Sequence, residues 1–330
     1  MAHDPRLDQL IAWLKQLPEF DDFDIQPASA DASFRRYFRI TSAQCSWIAM
    51  DAPPDKEDCT SFVQVAQLIE AVGVQAPHIF HRDAEQGFML LSDLGSRPYL
   101  DELDTHNADR LYGDAIQSLL RMQTIDDALP AFDSERLQTE MGLFRDWLIG
   151  RHLGITLSEN QQRTLQSMFD LLEQSALAQT QVFVHRDYHS RNLMVTEAHN
   201  PGVIDFQDAV LGPITYDLVS LLKDCYIAWP RASMLNWVNA FAERSTWVEQ
   251  ADAAFIRDFE FMGVQRHLKA SGIFARLNHR DGKPGYLDDI PRVLAYIYDT
   301  SARYPQLHPL HELLEELGMD ADQQTLELIR

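Results

Sequence analysis

Cysteine is scarce in this chain. Its three cysteines, Cys45, Cys59 and Cys225, are widely spaced, with no CxxC pair. No disulfide framework is therefore expected, and the expected state is reduced thiols in a cytoplasmic protein. Glycine-rich phosphate loops are missing: the sequence contains neither GxGxxG nor GxxxxGK[ST]. Long apolar runs are missing too. No window approaches 18 uninterrupted apolar residues, and "MAHDPRLDQLIAWLKQL" has no apolar core of the signal-peptide kind, so neither a membrane span nor a secretory leader is expected. Positive charge is in short supply. Lys and Arg number 28 against 50 Asp and Glu, a formal charge of -22. Nucleic acid and anionic membrane surfaces are poor partners for such a chain, because phosphate neutralisation needs clustered cations. An anionic small molecule is still admissible where a local basic pocket overrides the net charge.

What is present is ample apolar material, 45% of residues, enough for a sizeable core. Asp4-Pro5 reads as a cap followed by a first-turn proline, and Leu7, Leu10, Ile11, Leu14 and Leu17 follow at helical spacing. "SFRRYFRI" and "SWIAM" read as a hairpin, "DCTSFVQVAQLIEAVG" as a helix, and "HIFHRD" and "GFMLLSDLG" as two further strands. Helices are expected over about 107–123, 135–151 and 158–177. Then come the strand "VFVH", a polar loop, the strand "NLMV", a turn, the strand "GVIDF", and helices to the end. "NHRDGKPGYL", 278–287, reads as loop. Strands first and helices later predict a bilobal α+β protein: a small β-rich lobe over 1–94 and a larger helical lobe over 95–330.

The polar loop "HRDYHSRN" carries the chemistry. Asp187 directly follows a strand, Asn192 directly precedes another, and Asp205 lies thirteen positions later in "VIDF". If the two strands pair, Asn192 and Asp205 can face each other beside Asp187. Such an oxygen-rich set suits Mg²⁺, which takes one or two carboxylates plus phosphate and water oxygens. Asp187 is then placed to orient a hydroxyl nucleophile and accept its proton. The pattern matches the phosphoryl-transfer arrangement in which a loop Asp and Asn precede a metal-binding Asp.

The segments "VHRDYHSRNLMV" and "GVIDFQDAVLGPITYDLVSLL" resemble the aminoglycoside phosphotransferase / choline kinase-like family, which shares its fold with protein kinases. That family usually reads His-Gly-Asp-Leu-His-Pro-x-Asn. Here His185, Asp187, His189 and Asn192 are kept, with Arg186 and Ser190 replacing Gly and Pro. The resemblance implies Asp187 as catalytic base, Asn192 and Asp205 as magnesium ligands, and Asp217 as a brace beneath the loop, with ATP and Mg²⁺ as cofactors. "DASFRRYFRI", "MDAPPDKED" and "QRHLKASGIFARL" are similar to the anomeric sugar kinases of bacterial cell-wall recycling. This implies ATP-dependent phosphorylation of N-acetylmuramate and N-acetylglucosamine at the C1 hydroxyl. Ser33, Phe34, Arg35 and Met50 then fall at the nucleotide, with small residues such as Ala30 and Ala32 letting backbone N–H groups approach phosphate. Backbone groups from Leu91 to Asp93 would meet adenine, with Leu90 and Leu91 packing the ring. His189, Arg266, Lys269 and Arg276 are candidates for the sugar.

One departure stands out. The third strand reads Ile48-Ala49-Met50-Asp51, without the expected Lys, and the next helix offers Gln64 and Gln67 where Glu is expected. Losing both members at once avoids an unpaired buried charge. Arg35, Arg36 or Arg39 is a candidate for the phosphate contact instead. Three alternatives stay open: another hydroxyl acceptor (an aminoglycoside or a choline-like molecule), a non-catalytic nucleotide-binding module, and a metallohydrolase built on His185, Asp187 and His189. Oligomeric state is not readable from the sequence.

Overall fold

The structure is a computed structural model that describes residues 4–18, 20, 22–30, 34–42 and 45–330. The chain divides into two compact units, one of residues 1–97 with 194–208 and one of residues 98–193 with 209–330. The boundary falls three residues past the one read from the sequence, and residues 194–208, assigned there to the second lobe, pack with the first.

In the first unit, α1 (Pro5–Leu14) begins as its sequence dictates: the Asp4 side chain accepts from the Leu7 amide at 3.1 Å, and Pro5 occupies the first turn, where no N–H is needed. Five antiparallel strands follow: β1 (Asp24–Ala30), β2 (Arg36–Ser42), β3 (Cys45–Asp51), β4 (Ile79–Asp83) and β5 (Phe88–Ser92). Helix α2 (Thr60–Ala71) lies between β3 and β4 in the chain, and the spatial order is β1-β2-β3-β5-β4. Strand β1 was not expected. Its "DIQPASA" has no apolar alternation, and Pro27 removes a ladder donor. Both are tolerated because β1 is an edge, with a bulge between Pro27 and Ser29.

The two-residue side-chain period divides this sheet. One face buries Phe38, Ile40, Ala49, Phe88 and Leu90 against Leu10, Trp13 and Leu14 of α1. The registers Tyr37↔Met50, Arg39↔Ile48, Ile48↔Leu91 and Met50↔Met89 put those residues on the other face. At the end of β3, Asp51 is fully buried and accepts from Arg6 and from Arg36, whose guanidinium also reaches Asp4. A buried carboxylate needs this full pairing.

The second unit holds α3 (Tyr99–Glu102), α4 (Ala108–Met122), α5 (Ser134–Leu143), α6 (Glu159–Leu177), α7 (Tyr216–Leu222), α8 (Arg231–Arg244), α9 (Ala253–Asp281), α10 (Ile290–Arg303), α11 (His308–Glu316) and α12 (Gln323–Ile329). A π-helical stretch, Phe144–His152, continues directly from α5. Strand β6 (Gln181–Val184) pairs antiparallel with β9 (Val210–Pro213). Helix α9 runs 29 residues, about 44 Å at 1.5 Å per residue. It starts on an Asp252 cap and continues through Asn278, His279 and Arg280, correcting the loop expected over 278–287. Polar residues on an exposed last turn do not break a helix. Gly282, at φ +65° just past its end, does. Pro284–Asp289 then forms a 3-10 turn.

At Gly272 the backbone of α9 touches the chain where α5 passes into the π-helical stretch. A Cβ there would sit 2.3 Å from the Leu143 carbonyl carbon. Gly272→Ala is therefore expected to cost about 1–3 kcal/mol by overpacking. A urea midpoint equal to the wild type's would contradict this contact.

Residues 194–208 carry the end of β7 (Leu193–Met194) and all of β8 (Gly202–Val203), which form a two-stranded hairpin. The Val203 amide donates to the Gln75 carbonyl at 2.7 Å, Phe206 packs on Phe62, and a Cβ at Gly202 would meet Leu94 at 2.9 Å. "GVIDF" is thus shorter as a strand than expected. Asp205 lies two residues past β8 in the left-handed region, at φ +64°.

Candidate active site

The loop after β6 is held from beneath. The amides of His185 and Arg186 donate to the Asp217 carboxylate of α7, at 2.6 and 3.0 Å. This is the bracing role read for Asp217. Its burial pushes the carboxyl up to about 7, partly countered by those two donors. The Ser190 amide donates to Asp224 at 2.9 Å, and the Tyr188 hydroxyl to the Ala115 carbonyl at 2.8 Å. His185 is fully buried, and its Nδ1 accepts from the Asp187 amide at 3.2 Å. The His189 amide and the Asn192 side-chain nitrogen both donate to the Asp187 carbonyl, each at 3.0 Å. The residues read as base and first metal ligand are therefore locked to one another. With its nitrogen engaged there, the Asn192 amide oxygen is not used in that contact.

Arg186 stands where the resembled family has glycine, and the reason is visible: its φ is +78°, a conformation costly for any residue with a Cβ. Its guanidinium compensates by pairing with Glu140 at 2.5 Å. Glu140 also takes Lys269 at 3.3 Å and Gln265 at 3.2 Å, while the Lys269 ammonium donates to the Tyr216 hydroxyl at 3.0 Å. Arg266 is 5% exposed and donates to the Cys225 sulfur at 3.3 Å.

These cations set the state of Asp187. Burial pushes its carboxyl upward, but Lys269, His189, Arg266 and Arg186, in that order, outweigh it and hold the carboxyl well below the usual carboxylate range. His189 is pushed down by its own burial and packs edge-on against Tyr226, 5.3 Å between centroids. Lys269, Arg266 and His189 thus gather around Asp187. Arg276 does not: it lies ten positions beyond Arg266, about 15 Å along α9, with Arg280 and Asp281 as its charged neighbours.

In the first unit, Ser33 lies outside the described residues. Phe34 is 60% exposed and its amide donates to Glu57 at 3.1 Å. Arg35 pairs with the same Glu57 at 3.0 Å, so a shielded cation–carboxylate pair does exist here, although the third strand lacks Lys. Arg36 is committed to Asp51 and Asp4. Arg39 is committed to Asp93, at 2.7 Å, and to the Gly95 carbonyl. Met50 and Leu91 share the sheet face turned away from α1. Leu90 does not join them, because alternation turns it into the α1 core, which corrects its reading as a ring contact. The Asp205 carboxylate accepts from the Gln207 side chain at 2.8 Å. Glu140, Asp224 and Arg191 escaped the sequence reading. Asp224 alone carried a signal, since Lys223-Asp224 interrupts a long apolar run. The metallohydrolase alternative finds no support. The rings of His185 and His189 are engaged separately, and among the described residues no group of three or more His, Cys, Asp or Glu is arranged to hold a metal.

A strand-rich unit, a helical unit and a braced His-x-Asp-x4-Asn loop define a phosphotransferase with a protein-kinase-like fold. The phosphotransferase enzyme family model matches residues 24–262, and the chain belongs to that family. It is 46% identical to the N-acetylmuramate/N-acetylglucosamine kinase of Pseudomonas aeruginosa, covering 98% of this chain and all of that protein. Identity to the enzyme of the same name from Neisseria meningitidis serogroup B is 42%, covering 95% of this chain and 96% of the other. Among solved structures, choline kinase LicA from Streptococcus pneumoniae superposes with a TM-score of 0.65 at 11% identity, over 90% of this chain and 99% of that one. Aminoglycoside phosphotransferase APH(2'')-Ib superposes at 0.59 and 13% identity, over 87% and 97%. Those two likenesses establish the fold.

Proposed function

We propose that this chain is an ATP- and Mg²⁺-dependent kinase that phosphorylates the C1 hydroxyl of N-acetylmuramate and N-acetylglucosamine. The observation that carries the chemistry is the braced loop that presents Asp187, held by Asp217 through the His185 and Arg186 amides and by the Asn192 side chain on the Asp187 backbone carbonyl. The sugar assignment draws on the near full-length relatives of that name.

In this reading Asp187 accepts a hydrogen bond from the sugar hydroxyl and aims its oxygen at the γ-phosphorus. The new O–P bond forms as the bond to the ADP oxygen breaks, and the hydroxyl proton passes to an Asp187 oxygen and on to solvent. A carboxylate of lowered basicity suffices, because phosphoryl transfer has a loose transition state that needs positioning more than deprotonation. An anomeric hydroxyl is also more acidic than an ordinary alcohol. Asn192 and Asp205 supply an amide oxygen and a carboxylate, a donor set that suits Mg²⁺, which would neutralise charge on the phosphates. Arg35, Phe34 and Ser33, with Met50, Leu91 and Asp93, are the residues proposed to meet the nucleotide.

The test is incubation with Mg-ATP and a panel of sugars, read by phosphorus NMR. The expected product signal is split by the anomeric proton, as in a 1-phosphate. A 6-phosphate, or transfer only to an aminoglycoside or choline, would overturn the assignment.

A further inference from the structure

Arg191 is the one loop cation that the account of Asp187 does not use. The backbone on either side of it is fixed, with the Ser190 amide on Asp224 and the Asn192 side chain on the Asp187 carbonyl. Its guanidinium carbon lies over the Tyr226 ring, 3.6 Å from the centroid, and 5.6 Å from that of Tyr286. Asp224 also fixes the platform, because its second oxygen accepts from the Tyr226 amide at 3.0 Å. One buried carboxylate therefore sets both the cation and the ring beneath it. Stacking engages the π face of a guanidinium and leaves its planar fork of N–H donors at the edge. The acidic contact there is loose. Asp289 is 4.0 Å from Arg191 and is itself bonded to Arg292 at 2.8 Å. The Arg191 side chain is 41% exposed. Lys269 is committed to Glu140 and Tyr216, and Arg266 is 5% exposed, so neither offers a comparable open fork.

The two sugars of the proposed reaction differ in one respect that matters here: N-acetylmuramate carries a lactyl ether with a carboxylate, and N-acetylglucosamine a bare hydroxyl. A chain of net charge -22 repels the anionic sugar unless a local cation receives it. We infer that Arg191, stacked on Tyr226 four residues from the catalytic base, receives the lactyl carboxylate in a bidentate contact and sets the preference between the two sugars. The inference rests on the sugar-kinase assignment.

Steady-state kinetics on both sugars with wild type, Arg191→Gln and Arg191→Lys tests it. A charge-assisted contact predicts that Arg191→Gln lowers kcat/KM for N-acetylmuramate about ten- to a hundredfold, through KM, while N-acetylglucosamine changes less than about threefold. Arg191→Lys keeps the charge without the fork and should fall between. Equal losses on both sugars, or no loss on either, overturn the role of Arg191 and leave the kinase assignment standing. A wild type that phosphorylates neither sugar overturns the assignment itself, before any variant is compared.

Discussion

Asp187→Asn is expected to lower turnover by about 10²–10⁴-fold, the range for losing a positioned proton acceptor, with the KM for sugar and ATP nearly unchanged. An amide keeps the size of the group but presents no anionic oxygen to the hydroxyl. The substitution should also lower stability, because it removes a charge that Lys269, Arg266 and Arg186 favour. The sign follows from linkage. A carboxyl depressed below its ordinary 3.8 in the folded state contributes stability above that value and loses it as pH falls through the lower folded value. At neutral pH the whole contribution is therefore lost in the variant, and the unfolding midpoint should drop alongside turnover. The same depression predicts that Asp187 sets no acid limb in kcat/KM between pH 4 and 7, since it stays ionised throughout. Near-normal turnover by a folded Asn variant would remove Asp187 from its role.

What could be read from the residues alone follows a physical line. Local signals were legible: the Asp4-Pro5 start of α1, the β2–β3 hairpin, and the loop from His185 to Asn192. Each rests on neighbours in sequence. The misread elements depend on partners far along the chain. Strand β1 exists because β2 offers it an edge, and Leu90 faces α1 because the register with β3 puts it there. Arg186 looked like a departure from a glycine position. Its compatibility comes from Glu140, 46 residues away, and no periodicity in "SERLQTEMGL" marks that residue as an ion-pair partner. Arg266 and Lys269, read as candidates for the sugar, are buried, because α9 is enclosed by other helices at mid-length. Burial of a charge is a property of the assembled layers.

The enclosed charges lead to the largest expected effect on stability. Glu140 is 7% exposed and is the shared acceptor for Arg186, Lys269 and Gln265. Glu140→Gln keeps its volume and removes its charge, leaving the buried Lys269 and the half-buried Arg186 without their common anion. Stranding one partner of a buried pair typically costs about 3–5 kcal/mol, and that is the loss of unfolding free energy expected here, read from urea titration. Turnover should fall as well, because Lys269 would shift toward Asp187 and change where the base sits. Arg186→Gly removes one stranded cation and relieves the left-handed backbone together, so Glu140→Gln with Arg186→Gly should be markedly less destabilised than the sum of the two single changes. Strict additivity would mean that Glu140 does not support Arg186 in its strained conformation, and a Glu140→Gln protein as stable as wild type would mean that the network is solvated rather than buried.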